Sequence, residues 1–389
     1  MFPTVSDLLQ YLTGIYIPLP VQTFGFFMAV SFAAAYFTTS AELKRKTNLG
    51  LINPVQRTIT KFKSVTPAAY VTNCVINAII GFKLVEAILD YQSLVDNPQL
   101  FILSTKGSWI GLVGGGILGL VNTYRDALKL RGTTPETSIE EVPAHELMWN
   151  ITAIAGIFGL LGAKLFHNLE YLDDLMADPI NALLSFSGLT FYGGLIVASV
   201  AVLYYTNKRK IPTLHMIDAA APGLMLAYGI GRIGCHLSGD GDWGIVNASP
   251  KPKVISFLPD WMWGYKYPHN VLGEGVPIPG CEGPHCAALP MPVFPTPFYE
   301  AIMALALFGL IWYMRKKITV PGVLFFVYLI VSGIERFAIE KIRVNSTYQI
   351  MGKAITQAEI ISTLMVVVGI AYIAILVSRN KNGQHETSS

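Results

Sequence analysis

The sequence predicts an all-α integral membrane protein, a polytopic helical bundle of about nine spans. Three observations carry that prediction. The 389 residues are 52% hydrophobic and only 14% charged, with a mean hydropathy of +0.48, well to the apolar side of an ordinary globular chain. Apolar windows long enough to cross about 30 Å of hydrocarbon, roughly 20 residues each, recur along the chain. Lys and Arg gather in alternate connections between those windows, as the positive-inside rule requires of a threaded chain.

The opening segment "MFPTVSDLLQYLTGIYIPLP" lacks a basic n-region and a small-residue cleavage site, so it does not read as a cleaved signal peptide. Leu8, Leu9, Tyr11, Leu12, Ile15 and Tyr16 are spaced for a short amphipathic helix lying on a membrane surface. The apolar windows then fall near 22–39, 67–89, 107–123, 147–166, 183–206, 214–236, 297–314, 319–336 and 356–378. The third, "GSWIGLVGGGILGLVNTY", is short and glycine-rich. Basic clusters mark the inner face: "LKRK" with Arg57, Lys61 and Lys63; Arg125, Lys129 and Arg131; "NKRK" at 207–210; "RKK" at 315–317; and Arg379 with Lys381. The N-terminus is then outside and the C-terminus inside, which an odd number of spans requires. Intervening loops are neutral or acidic, as in "LEYLDDLMADP" at 169–179, and the tail "RNKNGQHETSS" reads as disordered and inner. Lys83 and Glu86, three apart in the second window, read as a structural pair. A net charge of +3, scattered between apolar runs, offers no nucleic-acid surface.

Two cationic places break the charge rule, the long outer loop 237–296 and the segment after Glu335. Arg232 and Arg336 sit near the outer ends of the sixth and eighth windows. An ionisable residue kept at membrane depth points to function by default. Arg336, Glu340 and Arg343 follow i, i+4, i+7 spacing and share one helix face. Guanidinium is the side chain whose planar fork best matches a phosphate. The structural alternative, arginines that snorkel to headgroups or pair with Glu340, stands beside a site that holds an anionic lipid head.

"GRIGCHLSGDGDWG" (231–244) resembles the signature of the bacterial prolipoprotein diacylglyceryl transferases, G-R-x-G-N-F-x-N-G-E-x-W-G. "GLTFYGGLI" (188–196), "GLLGAKLFHNLE" (159–170), "PTPFYE" (295–300) and "ERFAIEKIR" (335–343) are similar to four further blocks of that family, in the same order, over roughly residues 20–378. The resemblance implies transfer of the diacylglyceryl group of phosphatidylglycerol to the lipobox cysteine thiol of a prolipoprotein. A thioether forms and glycerol phosphate leaves, with no metal or organic cofactor. It also implies a multi-pass inner-membrane enzyme, working as a monomer, with its site toward the periplasmic leaflet. The domains would be an arm 1–21, a transferase domain 22–378 with an inserted hairpin 67–123 and a periplasmic loop 237–296, and a tail 379–389.

Matched residue by residue, Arg232 would hold the lipid phosphate and Arg336 would stabilise the leaving phosphate, with Glu340 and Arg343 positioning it. Asp240 is the nearest equivalent of the signature's glutamate, although one extra residue before Trp243 leaves Asp242 competing. Gly244, Gly193 and Gly194 match glycines of the family, and Tyr299 and Glu300 its L-Y-E element; Tyr299 also reads as an interfacial anchor. The departures concern proton chemistry. Tyr192 stands where many members have histidine, and a phenol with pKa about 10 is a poor base. His236, Asp240 and Glu340 are the remaining candidates for the thiol proton. Cys235 replaces an asparagine, Phe24 a tyrosine, and Lys164 an arginine.

Cys281 and Cys286, in "PGCEGPHCAALP", suit a disulfide in an oxidising compartment; a metal site with His285 would have only three ligands. The aromatics of "WMWGYKYPHN" would rest on headgroups or guide the peptide. The competing function is a transporter or flippase for an anionic substrate, which also needs buried arginines, but no paired repeat is evident. Phosphatidyl transfer at the inner face would want an aspartate-rich metal motif there; the inner acidic segment "TPETSIEEVP" lacks metal-ligand order.

Overall fold

The computed structural model describes residues 1–61, 65–96, 98–130, 136–184, 190–345, 347–350 and 353–386. Ten helices of nine or more residues organise them: α1 (Val5–Thr13), α2 (Thr23–Asn48), α3 (Pro67–Leu89), α4 (Trp109–Leu130), α5 (Met148–Glu170), α6 (Phe191–Lys208), α7 (Thr213–Ser238), α8 (Thr296–Met314), α9 (Val323–Glu340) and α10 (Gln357–Glu386). Helices α2 to α10 overlap the nine apolar windows. Five segments, Thr23–Asn48, Pro67–Leu89, Ala144–Glu170, Thr296–Met314 and Gln357–Lys381, are by length and composition apolar enough to cross a membrane. Large apolar side chains face outward, with Ile88 73% and Ile110 82% exposed, while Glu42 and Glu300 are fully buried. That inversion is the arrangement a lipid solvent selects.

Helix α1 starts with a reciprocal cap between Thr4 and Asp7 and ends at Gly14, which adopts φ 75°. Ile15 and Tyr16 therefore lie beyond the helix that the apolar spacing had included them in. At the other end the expected disorder of 379–389 is corrected. Helix α10 continues to Glu386, because extending a long, already nucleated helix costs little per residue; 387–389 lie outside the described residues.

The chain divides into two units. One comprises Met1–Gly14, Gln22–Val55 and Pro143–Ser389, the other Ile15–Val21 and Gln56–Val142. In the second unit α3 and α4 pack along their length. The glycines of the short third window let the backbones meet: a Cβ at Gly111 or Gly115 would stand 2.1 Å from the carbonyl oxygen of Gly81 or Asn77. Asn73 Nδ2 donates to Thr123 Oγ1 across the pair at 2.9 Å. Lys83 does not serve a pair with Glu86 as expected. Its Nζ donates to the carbonyls of Phe101, Ser104 and Lys106 at 2.7, 2.6 and 2.8 Å, closing the turn that follows the short helix Pro98–Leu103.

In the larger unit α7 is the central element, packed on α2, α8 and α9, while α5 pairs with α6 and α9 with α10. Met225, Ala304, Ile311 and Leu324 form the apolar core between α7, α8 and α9. A polar cluster ties the start of α7 to its neighbours. Asp218 accepts the Gly322 and Phe325 N–H groups at 2.8 and 3.0 Å, capping the start of α9, and pairs with buried Lys46 of α2 at 3.4 Å. Glu42 of the same helix pairs with Arg45 at 2.5 Å and Arg315 at 3.6 Å. Asp218→Ala leaves Lys46, buried beside His215 Nδ1 at 3.5 Å, without an opposing charge, and two N–H groups uncapped. The expected loss is about 3–5 kcal/mol of stability, visible as a lowered unfolding temperature of the purified protein in detergent; an unchanged temperature would show that the cluster contributes nothing.

Candidate active site

Three guanidinium groups converge on one carboxylate. Glu300, in the first turns of α8 and fully buried, receives Arg232 Nε at 2.9 Å from α7, Arg336 Nη1 at 3.3 Å from α9, and Arg343 Nη1 at 3.2 Å from the segment after α9. Asp242 bridges two of them, taking Arg343 Nη2 at 2.6 Å on one oxygen and Arg232 Nη1 on the other. Glu340 holds Arg336 Nη2 at 2.8 Å and accepts Asn345 Nδ2 at 2.7 Å. The i, i+4 spacing of Arg336 and Glu340 makes that last pair local; every other contact joins distant parts of the chain.

Backbone pairing sets the register of the cluster. Gly244 forms an isolated antiparallel bridge with Arg343; its N–H donates to Phe294 O at 2.8 Å, and that of Ile245 to Ile342 O at 2.9 Å. A Cβ on Gly244 would stand 2.3 Å from Ile342 O, so the bridge needs glycine. Thr296 Oγ1 adds a hydrogen bond to the Asp242 carbonyl at 2.7 Å. Asp242, two residues before the glycine, is thereby held against Arg343. Of the two competing aspartates, Asp242 meets the arginines, whereas Asp240 Oδ1 accepts the Asp242 N–H at 3.4 Å and interacts with Cys235.

Electrostatics separate the two aspartates. Burial pushes the Asp242 carboxyl upward, but the Arg232 and Arg343 guanidiniums outweigh it and hold the group below the usual carboxylate range. Asp240 is raised, by burial first and then by the adjacent Asp242 charge. Arg343 is held firmly protonated: burial opposes its charge, and Asp242 and Glu300 overcome that. Ligand atoms of Cys235, Asp240 and Asp242 lie within 4.8 Å of one another, a spacing a cation could use. Both Asp242 oxygens are already taken by guanidiniums, so the group fits an ion-pair frame better than a metal site.

Guanidinium carries five donors, and this frame uses only some of them. Arg336 keeps the most exposed side chain of the three, 23% against 18% for Arg232 and 10% for Arg343. Guanidinium donors held in this way match the geometry of a phosphate group.

The other expected site residues fall elsewhere. Gly193 and Gly194, expected to bind substrate, are buried in the α5–α6 crossing: a Cβ on Gly193 would stand 2.3 Å from Phe166 Cβ, and one on Gly194 2.8 Å from Gly159 O. Their glycine identity answers to helix packing. Tyr192 starts α6 edge-on to Phe191, and among the described residues no hydrogen bond joins it to the arginines. His236 is buried, its Nδ1 3.2 Å from Tyr267 Oη, and its ring is enclosed by Trp261, Tyr265 and Phe298. The loop aromatics pack inward. Tyr267 is fully buried, Trp261 packs on Phe298 at 4.8 Å, and Trp263 donates to Ser249 O at 3.0 Å. Tyr299 anchors that small core to α8 by donating to Met262 O at 2.6 Å. Cys281 and Cys286 are joined in a disulfide with Cα atoms 5.6 Å apart. Buried Cys235 has its Sγ 4.0 Å from Arg232 Nη1, and Phe24 lines the α2 face that receives Gly234 of α7.

The pattern that describes the prolipoprotein diacylglyceryl transferase family matches residues 127–375, well over half of the chain. A phosphatidylglycerol–prolipoprotein diacylglyceryl transferase of Dehalococcoides mccartyi is 25% identical over 300 residues, 76% of this chain and 100% of that protein. Transferases of the same name from Clostridium botulinum and Corynebacterium efficiens are 26% identical over 264 residues (68% of this chain and 93% of that protein) and 27% over 248 (62% and 69%). The matched region contains every member of the arginine–carboxylate cluster, and this chain belongs to the prolipoprotein diacylglyceryl transferase family.

Proposed function

We propose that this protein transfers the diacylglyceryl group of phosphatidylglycerol to the lipobox cysteine of prolipoproteins, and that the Arg232–Arg336–Arg343 cluster around Glu300 is where the lipid phosphate is held. The observation that carries the reading is that convergence, in a chain of this family. The relatives are transferases by name, and the transporter reading falls away. The reaction is a displacement. The thiolate attacks the glycerol carbon that bears the phosphate ester, a C–S bond forms, the C–O bond breaks, and glycerol phosphate departs with the electron pair.

The growing charge on the leaving phosphate is best met by donors already in place, because they need no reorganisation at the moment of reaction. Arg336, the most open of the three, suits that task, and Arg232 suits the resting phosphate. Glu300, Asp242 and Glu340 hold the guanidiniums in shape. Gly244 keeps the loop against Arg343. In this reading all nine long apolar helices span, with the N-terminus outside and the C-terminus inside. The disulfide-bearing loop 237–296 and the cluster then lie toward the periplasmic leaflet of the inner membrane, and no metal or organic cofactor takes part. The hairpin 67–123 is an addition to the common core, which the start of the family match at residue 127 supports. One chain contains the whole cluster, consistent with a monomer.

Membrane vesicles carrying the protein, labelled phosphatidylglycerol and a lipobox peptide test the reading. The unaltered chain is expected to put label on the peptide cysteine in a thioether, and Arg232→Ala or Arg336→Ala to lower the rate about 100- to 1000-fold while folding normally. Binding of lipid by the unaltered chain with no peptide modification would overturn it. Glu300→Ala is expected to be worse than Asp242→Asn in both rate and unfolding temperature, since it leaves three guanidiniums without their shared acceptor. Equal effects of the two changes would mean that Glu300 is not the centre of the frame.

A further inference from the structure

Among the described residues, each carboxylate around the arginines except Glu335 has an ion-pair or hydrogen-bond partner, although Glu340 Oε2 has only its ion pair with Arg336. Glu300 and Asp242 are taken by guanidiniums, Glu340 by Arg336 and Asn345, and Asp240 by the Asp242 N–H and Cys235. Glu335, one residue before Arg336 on α9, is 6% exposed, and its Oε1 is fully buried without a hydrogen-bond partner. Its charge faces Glu300 on α8, Arg232 and Tyr228 on α7, and Arg336, Arg343 and Tyr328 on its own helix and the segment after it. Helix α10 packs beside this stretch at Gly333 with uncharged Ser362, Met365 and Val366. A buried carboxyl oxygen left without a partner is costly and calls for an explanation. Here it offers a free lone pair within electrostatic reach of Arg232, Arg336 and Arg343.

We propose that Glu335 accepts the proton of the substrate thiol, an inference that rests on the transferase reading above. The proton passes from sulfur to Glu335, and the sulfur electron pair forms the bond to the glycerol carbon. The carbon–oxygen pair leaves with glycerol phosphate, which takes the proton from Glu335. The alternatives are less suited. Tyr192 is a phenol outside the arginine cluster's hydrogen bonds, and the His236 ring is enclosed and engaged with Tyr267. Glu340 is tied to a guanidinium and to Asn345.

The test measures initial transfer rates with the full-length purified protein in detergent and phosphatidylglycerol micelles, from about pH 6 to 9, around the ordinary thiol pKa of about 8.5. Glu335→Gln is expected to lower kcat about 100-fold at pH 7, with KM for the lipid within about twofold of the unaltered chain. Its remaining rate should rise about tenfold per pH unit until the thiol ionises by itself, and Glu335→Asp should restore part of the loss. Unfolding temperatures confirm that each variant is folded. A Glu335→Gln profile that overlays that of the unaltered chain overturns the proposal. So does a loss that high pH does not rescue and that appears as a raised KM, the mark of a structural role. Failure of the transferase reading is distinct: the unaltered chain then transfers no label at any pH, and the proposal falls with it.

Discussion

The sharing of the Glu300 carboxylate among three guanidiniums is the constraint around which one end of the larger unit is arranged. Three like charges so close would repel, and each costs free energy to remove from water. They coexist because Glu300, Asp242 and Glu340 supply three opposing charges. Such a frame adds little to stability by itself, since an apolar core of the same volume would serve as well. What it does provide is orientation: each guanidinium is fixed by two carboxylates. The sequence elements that hold it, α7, α8, α9 and the Gly244 bridge, are drawn from more than a hundred residues of chain.

Helix α7 carries polar clusters near both ends. Asp218 and Arg232 are 14 positions apart, about 21 Å along a helix axis. The first joins α2, α7 and α9 through Lys46 and the capped start of α9. The second joins α7, α8 and α9 through Glu300. Between them the contact is apolar, through Met225, Ala304, Ile311 and Leu324. Charge thus locks the helices at two levels, where directional bonds set rotation and register, and lets ordinary packing fill the middle.

The helices were legible in the sequence because nine apolar windows and their flanking charges state them directly. Arg232, Arg336 and Arg343 were legible for a related reason, since cations beside apolar runs stand out, and Glu340 through its i, i+4 spacing from Arg336. The central place of Glu300 was not, because its partners are 36 to 68 residues away along the chain, and nothing local marks their meeting. The extra residue before Trp243 hid the role of Asp242, which only the backbone bridge at Gly244 makes plain. Glu335 was passed over beside its arginine neighbour. Gly193 and Gly194 signal close approach in the sequence, and the structure shows the α5 helix as a body that approaches them.

The disulfide between Cys281 and Cys286 closes a ring only five positions long. So small a ring removes less freedom from an unfolded chain than a longer one would. The loop 237–296 is also ordered by the aromatic packing around Tyr267 and by Asn270, whose amide donates to Glu274 O at 2.9 Å and whose carbonyl accepts the Glu274 N–H at 2.9 Å. Reduction of the cross-link would loosen the tip of the loop and leave its base, which carries Tyr265, Tyr267 and the anchor to Tyr299, in place. The arginine–carboxylate cluster is tied to the base of the loop through Gly244 and Thr296, not through its disulfide-bearing tip.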